Sequence, residues 1–146
     1  MRRAVIAATP LVLAAACSGG GTPAAAPSLV IRDAWARPAD SGTVTAVYLA
    51  LVNREKAAVS YTGASSPLAE SVALHETMQM GDMVHMMPLD SAQAIAPGDS
   101  LVLAEGAKHL MVSGLRRSLA AGDTVPLALT FADGRTLQVR ALVKAP

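Results

Sequence analysis

From Ser28 onward the chain is a succession of short runs rich in Val, Leu, Thr and Tyr, closed by turn signals, with no amphipathic helix of useful length among them. Leu29-Val30-Ile31 opens the series, and Thr43–Val52 reads as a strand ended by Asn53-Arg54-Glu55-Lys56. Ala57–Thr62, Ser71–Thr77 and Leu101-Val102-Leu103 are further candidates, the last following the turn Pro97-Gly98-Asp99. Val125–Phe131 and Thr136–Val143 flank Ala132-Asp133-Gly134-Arg135, with Asp-Gly as the hairpin signal. Short strands at this spacing predict an all-β domain, an antiparallel Greek-key sandwich or barrel. Aromatics make up only 3% of a chain that is 52% hydrophobic, so the core must be mostly aliphatic. A length of 146 residues suits one domain rather than two.

The N-terminus stands apart from this pattern. Met1-Arg2-Arg3 precedes an apolar run, Ala4–Ala16, and then the only cysteine, Cys17. A basic start, a short apolar stretch and small residues form a secretory signal. The run is too short for a spanning helix, which needs about 20 residues. Leu13-Ala14-Ala15-Ala16-Cys17 resembles a bacterial lipoprotein signal, in which the cysteine becomes the acylated first residue. The expected organisation is a signal peptide over residues 1–16, a lipidated Cys17, a flexible Gly/Ser/Pro/Ala-rich tether over 17–28 and a β domain over 29–146. Such a protein sits in the periplasm or cell envelope, held to the membrane by its lipid. Loss of Arg2 and Arg3 with the signal moves the formal charge from +1 to −1. No basic stripe occurs, which excludes nucleic acid as an expected partner. With Cys17 used by the anchor, the domain has no disulfide, thiolate ligand or cysteine nucleophile.

The chemistry is concentrated in one segment. All three histidines lie between positions 75 and 109, and every methionine except the initiator lies between 78 and 111. Methionine is ordinarily an adaptable core filler, but that role does not explain why six gather beside all the histidines. Thioether sulfur is a soft, uncharged ligand that favours Cu(I), and imidazole accepts several metals. Zinc would recruit Cys, His or carboxylate, and a hard cation would need clustered oxygens. The segment therefore points to copper as Cu(I).

Strand geometry narrows the ligands. His109 and Met111 are two apart, so on a strand they share a face about 6–7 Å apart while Leu110 points into the core. His75 and Met86 enclose the turn-like Met80-Gly81-Asp82. A Met80-Gly81 loop would set 75 opposite 86, with Cβ atoms about 5 Å apart. A Gly81-Asp82 loop would make them diagonal, still within reach. Two such pairs could meet as a four-ligand site of two nitrogens and two sulfurs. Met86 and Met87 compete for one place and point to opposite faces. His85 should face away from Met86 and be exposed. Met78, Met80 and Met83 stand near the loop, either as an exposed rim or as a surface for copper entry and handover.

At these residues the chain resembles the periplasmic copper chaperone family called PCu(A)C, in which a His, ten residues, a Met, twenty-one residues and His-x-Met follow in order. His75 and Met86 enclose ten residues, and His109-Leu110-Met111 supplies the last part, the middle interval being one residue longer. Met86 is preferred to Met87 because Pro88 then stands two residues after the ligand, as in family members. The extra residue is expected in Ser91–Ser100, taken as a loop. Asp33-Ala34-Trp35-Ala36-Arg37-Pro38, Ala46-Val47-Tyr48-Leu49, Gly114-Leu115-Arg116-Arg117 and Gly122-Asp123-Thr124-Val125-Pro126-Leu127 also resemble family segments, with Trp35, Arg37 and Tyr48 structural rather than ligating. The resemblance implies a cupredoxin-like fold, Cu(I) held by His75, Met86, His109 and Met111, and delivery to the copper A centre of cytochrome c oxidase. A thiol metallochaperone fits beside it, keeping the acceptor cysteines reduced. The His/Met-rich C-terminal tail of some members is absent from Val143-Lys144-Ala145-Pro146.

Rival classes are weaker. No Ser-His-Asp set, P-loop or carboxylate pair can be assembled, and Met-rich ligation offers no open water-activating site, so an enzyme is not expected. Envelope copper storage is one alternative. The other is a metal-free lipoprotein whose Met cluster is an interaction surface.

Overall fold

The computed structural model describes residues 28–145, and all the regular structure in it is strand. The expected signal peptide, Cys17 and the tether up to residue 27 lie outside the described residues. Ten strands follow in order: β1 (Leu29–Ala36), β2 (Val44–Asn53), β3 (Val59–Ser65), β4 (Ser71–Met80), β5 (Met83–Pro88), β6 (Gln93–Ile95), β7 (Ser100–Leu103), β8 (Lys108–Ser113), β9 (Thr124–Phe131) and β10 (Thr136–Val143). Strands β4-β8-β2-β1-β10-β9-β3 are neighbours in that order, and Ala64 of β3 opposite Val72 of β4 closes them into a barrel. Every pairing is antiparallel except β1 with β10, which join the ends of the domain in parallel at Trp35–Leu142 and Ala36–Val143. The all-β Greek-key expectation holds, with this one parallel seam.

The core is aliphatic, as the composition requires. Strand β9 alternates strictly, sending Val125, Leu127, Leu129 and Phe131 inward. They meet Val139, Ala141 and Val143 of β10 and Val47, Leu49 and Leu51 of β2. The β9–β10 connection is the hairpin the sequence predicts. Phe131 and Arg135 pair across it (N–H to O, 3.0 Å), and Gly134 takes φ 85° to complete the three-residue loop.

Some boundaries differ from expectation. Ser91–Ser100 is not only a loop, because Gln93–Ile95 adds β6 to β3, with Ile95 buried opposite Val59. Asn53 does not stand in a turn. It ends β2 fully buried, where Nδ2 donates to the carbonyls of Ala57 and Ile95 (2.9 and 3.0 Å) and Oδ1 accepts from the Glu55 N–H (2.9 Å). Asn53→Ala strips partners from several buried backbone groups and should cost about 3 kcal/mol. The check is the denaturant midpoint at unchanged slope.

Two irregularities shape the outer surface of the barrel. Strand β1 gains a residue between Arg32–Ala50 and Trp35–Tyr48, with Asp33 at φ 51°. Because side chains alternate, this one-residue slip turns Trp35 outward onto Tyr48, ring centroids 4.7 Å apart, while Ala36 takes the inward position. Strands β7 and β8 lie end to end along one side of β2, separated by a turn at 104–107 that carries Glu105 and Gly106.

Candidate metal centre

Leu110 and Leu74 point into the core, so their neighbours on β8 and β4 face outward. His75 lies directly opposite His109, with ring centroids 6.0 Å apart. Met111 stands one step along β8, opposite Ala73. Tyr48 of β2 flanks His109 at 6.4 Å, so Trp35, Tyr48, His109 and His75 form a row across four strands. This row is outside the barrel yet largely covered, and only 4% of His109 is exposed.

The cover comes from three sides. The turn between β7 and β8 holds Glu105, which pairs with Arg37 at 2.5 Å, and the Arg37 guanidinium lies 6.0 Å from the Tyr48 ring centre. The Thr77 N–H donates to the Ala107 carbonyl at 3.1 Å and ties β4 to the same turn. On the far side β4 runs beyond its pairing with β8 and folds back as β5. The result is a cleft of about 470 Å³, whose wall includes His109, Met111, Met86, Tyr48, Thr77 and the Arg37–Glu105 pair. His75 lies beside His109 and does not line this cleft.

The hairpin loop is Gly81-Asp82, closed by Met80 opposite Met83, with Gly81 at φ 64°. A direct pairing of His75 with Met86 is therefore not formed. His75 opposes Pro88, Met86 opposes Thr77, and the two expected ligands are diagonal on one face. Met86 lines the cleft, whereas Met87, opposite Glu76, falls on the other face with His85. Thus the structure brings His109, Met111 and Met86 to one cleft, with His75 against His109.

The two imidazoles differ in their hydrogen bonding. The Nδ1 of His75 is buried without a hydrogen-bond partner, an arrangement that costs free energy unless something else engages it. His109 Nδ1 lies 3.3 Å from the Ala107 carbonyl, a contact that favours the Nδ1–H tautomer and leaves Nε2 with a free lone pair. Burial, helped by His109 and opposed by Asp90, holds His75 below the ordinary imidazole range. The unfolded chain takes up that proton near pH 6.5 and the folded chain only lower down. The stability this confers is complete above about pH 6.5 and is lost as pH falls below it. The metal-free domain should therefore unfold at lower denaturant at pH 5 than at pH 7, and His75→Gln should flatten that difference.

Among the described residues no group of three or more His, Cys, Asp or Glu side chains could hold a metal. A site built on nitrogen, thiolate and carboxylate alone is not assembled there. The two imidazoles and two thioethers that stand near one another have the chemistry that would suit a soft monovalent ion. Trp35, Tyr48 and Arg37, expected to be structural, pack against one another beside the histidines. Glu105 was missed, because its partner Arg37 is distant in sequence and nothing local marks it.

The family model described as "Putative lipoprotein LpqE-like" matches residues 29–143. Among curated proteins, "Putative lipoprotein Lxx21020" of Leifsonia xyli subsp. xyli (strain CTCB07) is 35% identical over 114 residues, covering 78% of this chain and 68% of the relative. Among solved structures, the Cu(I) form of DR1885 from Deinococcus radiodurans is 36% identical at a TM-score of 0.59, covering 84% of this chain and 81% of that one. The copper-bound PCuAC domain from PmoF2 is 21% identical at a TM-score of 0.65, covering 84% and 97%, a likeness in fold.

Proposed function

The chain belongs to the LpqE-like family, whose domains are of the PCuAC type, and from that premise we propose that it is a copper chaperone of the cell envelope. It carries one Cu(I) on His75, Met86, His109 and Met111. The observation that carries this reading is the pairing of two covered histidines on adjacent strands, one with an unpartnered buried nitrogen, beside two thioethers on the same outward face. A carrier must hold its ion against loss and still release it. His109 anchors deep in the cover, whereas Met86 is 56% exposed on the outer hairpin strand. An incoming ligand can displace Met86 first and the buried imidazole of His109 last. Because thioethers and neutral imidazoles carry no charge, they favour Cu(I) throughout, and transfer needs no redox step at this protein.

The acceptor we propose is the copper A centre of cytochrome c oxidase, assisted by a thiol metallochaperone that keeps the acceptor cysteines reduced. Cys17, acylated after removal of residues 1–16, would hold the domain at the membrane through the 17–28 tether. The test loads the purified domain with Cu(I) and mixes it with the metal-free copper A domain under controlled reductant. Appearance of the acceptor's own copper spectrum is the expected result. No transfer, with normal oxidase in a copper-starved deletion strain, would leave storage as the function.

Proton competition follows from the same site. Histidine must be neutral to ligate, and His75 stays neutral to lower pH than an ordinary imidazole. Cu(I) affinity should be nearly flat from pH 8 to about 6.5 and fall at lower pH, as a chelator-competition series would show.

A further inference from the structure

Beyond Thr77 strand β4 has only β5 beside it, so residues 77–86 project from the barrel as a two-stranded ribbon. One face of this ribbon carries Thr77, Val84 and Met86 and belongs to the cleft. The other face is composed differently. Met78 lies directly opposite His85, and Met80 directly opposite Met83, which places three thioethers and an imidazole together. All four are exposed, Met80 and Met83 by 62% and 64%. Core filling, the ordinary role of methionine, is therefore not their role. Glu76 follows on the same face and Asp82 sits in the loop, two negative charges beside a place where a cation would sit.

We propose that this face of the hairpin holds a second Cu(I), through Met78, Met80, Met83 and His85, independently of the cleft. The four Cβ positions form a patch about 5 Å across the strands and 6–7 Å along them. Three flexible thioethers and one ring can converge on a single ion above such a patch. The soft, uncharged set selects Cu(I) over zinc or hard cations. Its exposure makes it weaker than the cleft, since neither a buried imidazole nor a cover holds the ion. The proposal shares with the function above the premise that the chain handles Cu(I), but it uses none of the same ligands.

The test is an anaerobic Cu(I) titration of the folded domain against chelators of graded strength. The parent should bind two equivalents, the second more weakly. Met78→Leu/Met80→Leu/Met83→Leu/His85→Ala should lose the second equivalent alone. His109→Ala/Met111→Leu should lose the tighter one and keep the hairpin equivalent. Methyl resonances of Met78, Met80 and Met83 should shift with the second equivalent in the parent, a readout that does not depend on any variant folding. A parent that binds one equivalent at every chelator strength, or a hairpin variant that retains both, overturns the second site while leaving the cleft intact. Loss of binding in the hairpin variant but not in the cleft variant would overturn the cleft assignment instead.

Discussion

Met111→Leu should leave the domain folded and weaken Cu(I) binding in the cleft by at least about 100-fold. Loss of a partner that merely orients a metal ligand already costs 10–100-fold, and here the ligand itself is removed. Leucine matches methionine in size and apolarity, so the half-buried position on β8 should lose less than about 1.5 kcal/mol of stability. His109→Ala should weaken copper at least as much, but it also empties a covered position and lowers stability, so Met111→Leu is the cleaner variant. Chelator competition for Cu(I), with the denaturant midpoint measured alongside, separates the two effects.

One residue away, Leu110→Ala should do the opposite. Leu110 is fully buried between Leu74 of β4 and Val47 of β2 on the inner face of the ligand strand. Truncation leaves a cavity in an aliphatic core that has few large side chains to collapse into it. The expected loss is about 3–5 kcal/mol, a large share of a small domain's total stability. Copper affinity of the fraction that remains folded should change far less, because the His109 and Met111 positions keep their strand pairing. Equilibrium unfolding in urea, with copper bound and absent, would show this division between two faces of a single strand.

How far these features were legible in the sequence depended on how local their causes are. The β9–β10 hairpin could be read because Asp133-Gly134 and the alternation of Val125–Phe131 act within a few residues. The outward pairing of His109 with Met111 and the inward turn of Leu110 follow from strand periodicity alone. The separation of Met86 from Met87 also follows from periodicity, and the two-residue Gly81-Asp82 loop keeps Met86 on the face of His75 and Thr77. The direct opposition of His75 and His109 could not be read, because it depends on β8 lying between β4 and β2. The outward turn of Trp35 depends on a bulge at Asp33–Ala34 that no residue type there announces. Strand β6 cannot be told from loop in the sequence because three residues are too few to show a period, and its pairing with β3 is what orders it. The cover over the candidate metal centre was equally hidden, since Arg37 and Glu105 meet only after the barrel closes.

The candidate copper ligands stand out through composition rather than pattern. Six methionines in one segment beside all three histidines are a chemical signal that survives errors of register. The structure places His109 and Met111 on β8 and divides the rest over two faces of one hairpin, with His75 and Met86 on one and Met78, Met80, Met83, His85 and Met87 on the other.

The most direct test of the cleft follows the ligands individually by NMR, in domain labelled at methionine methyl carbons and histidine ring nitrogens, while Cu(I) is added anaerobically. The first equivalent should move the resonances of Met86, Met111, His75 and His109, with Met87 unchanged. If the first equivalent instead moves Met87 or His85 and leaves Met111 and His109 where they were, the cleft is not where this protein holds its copper.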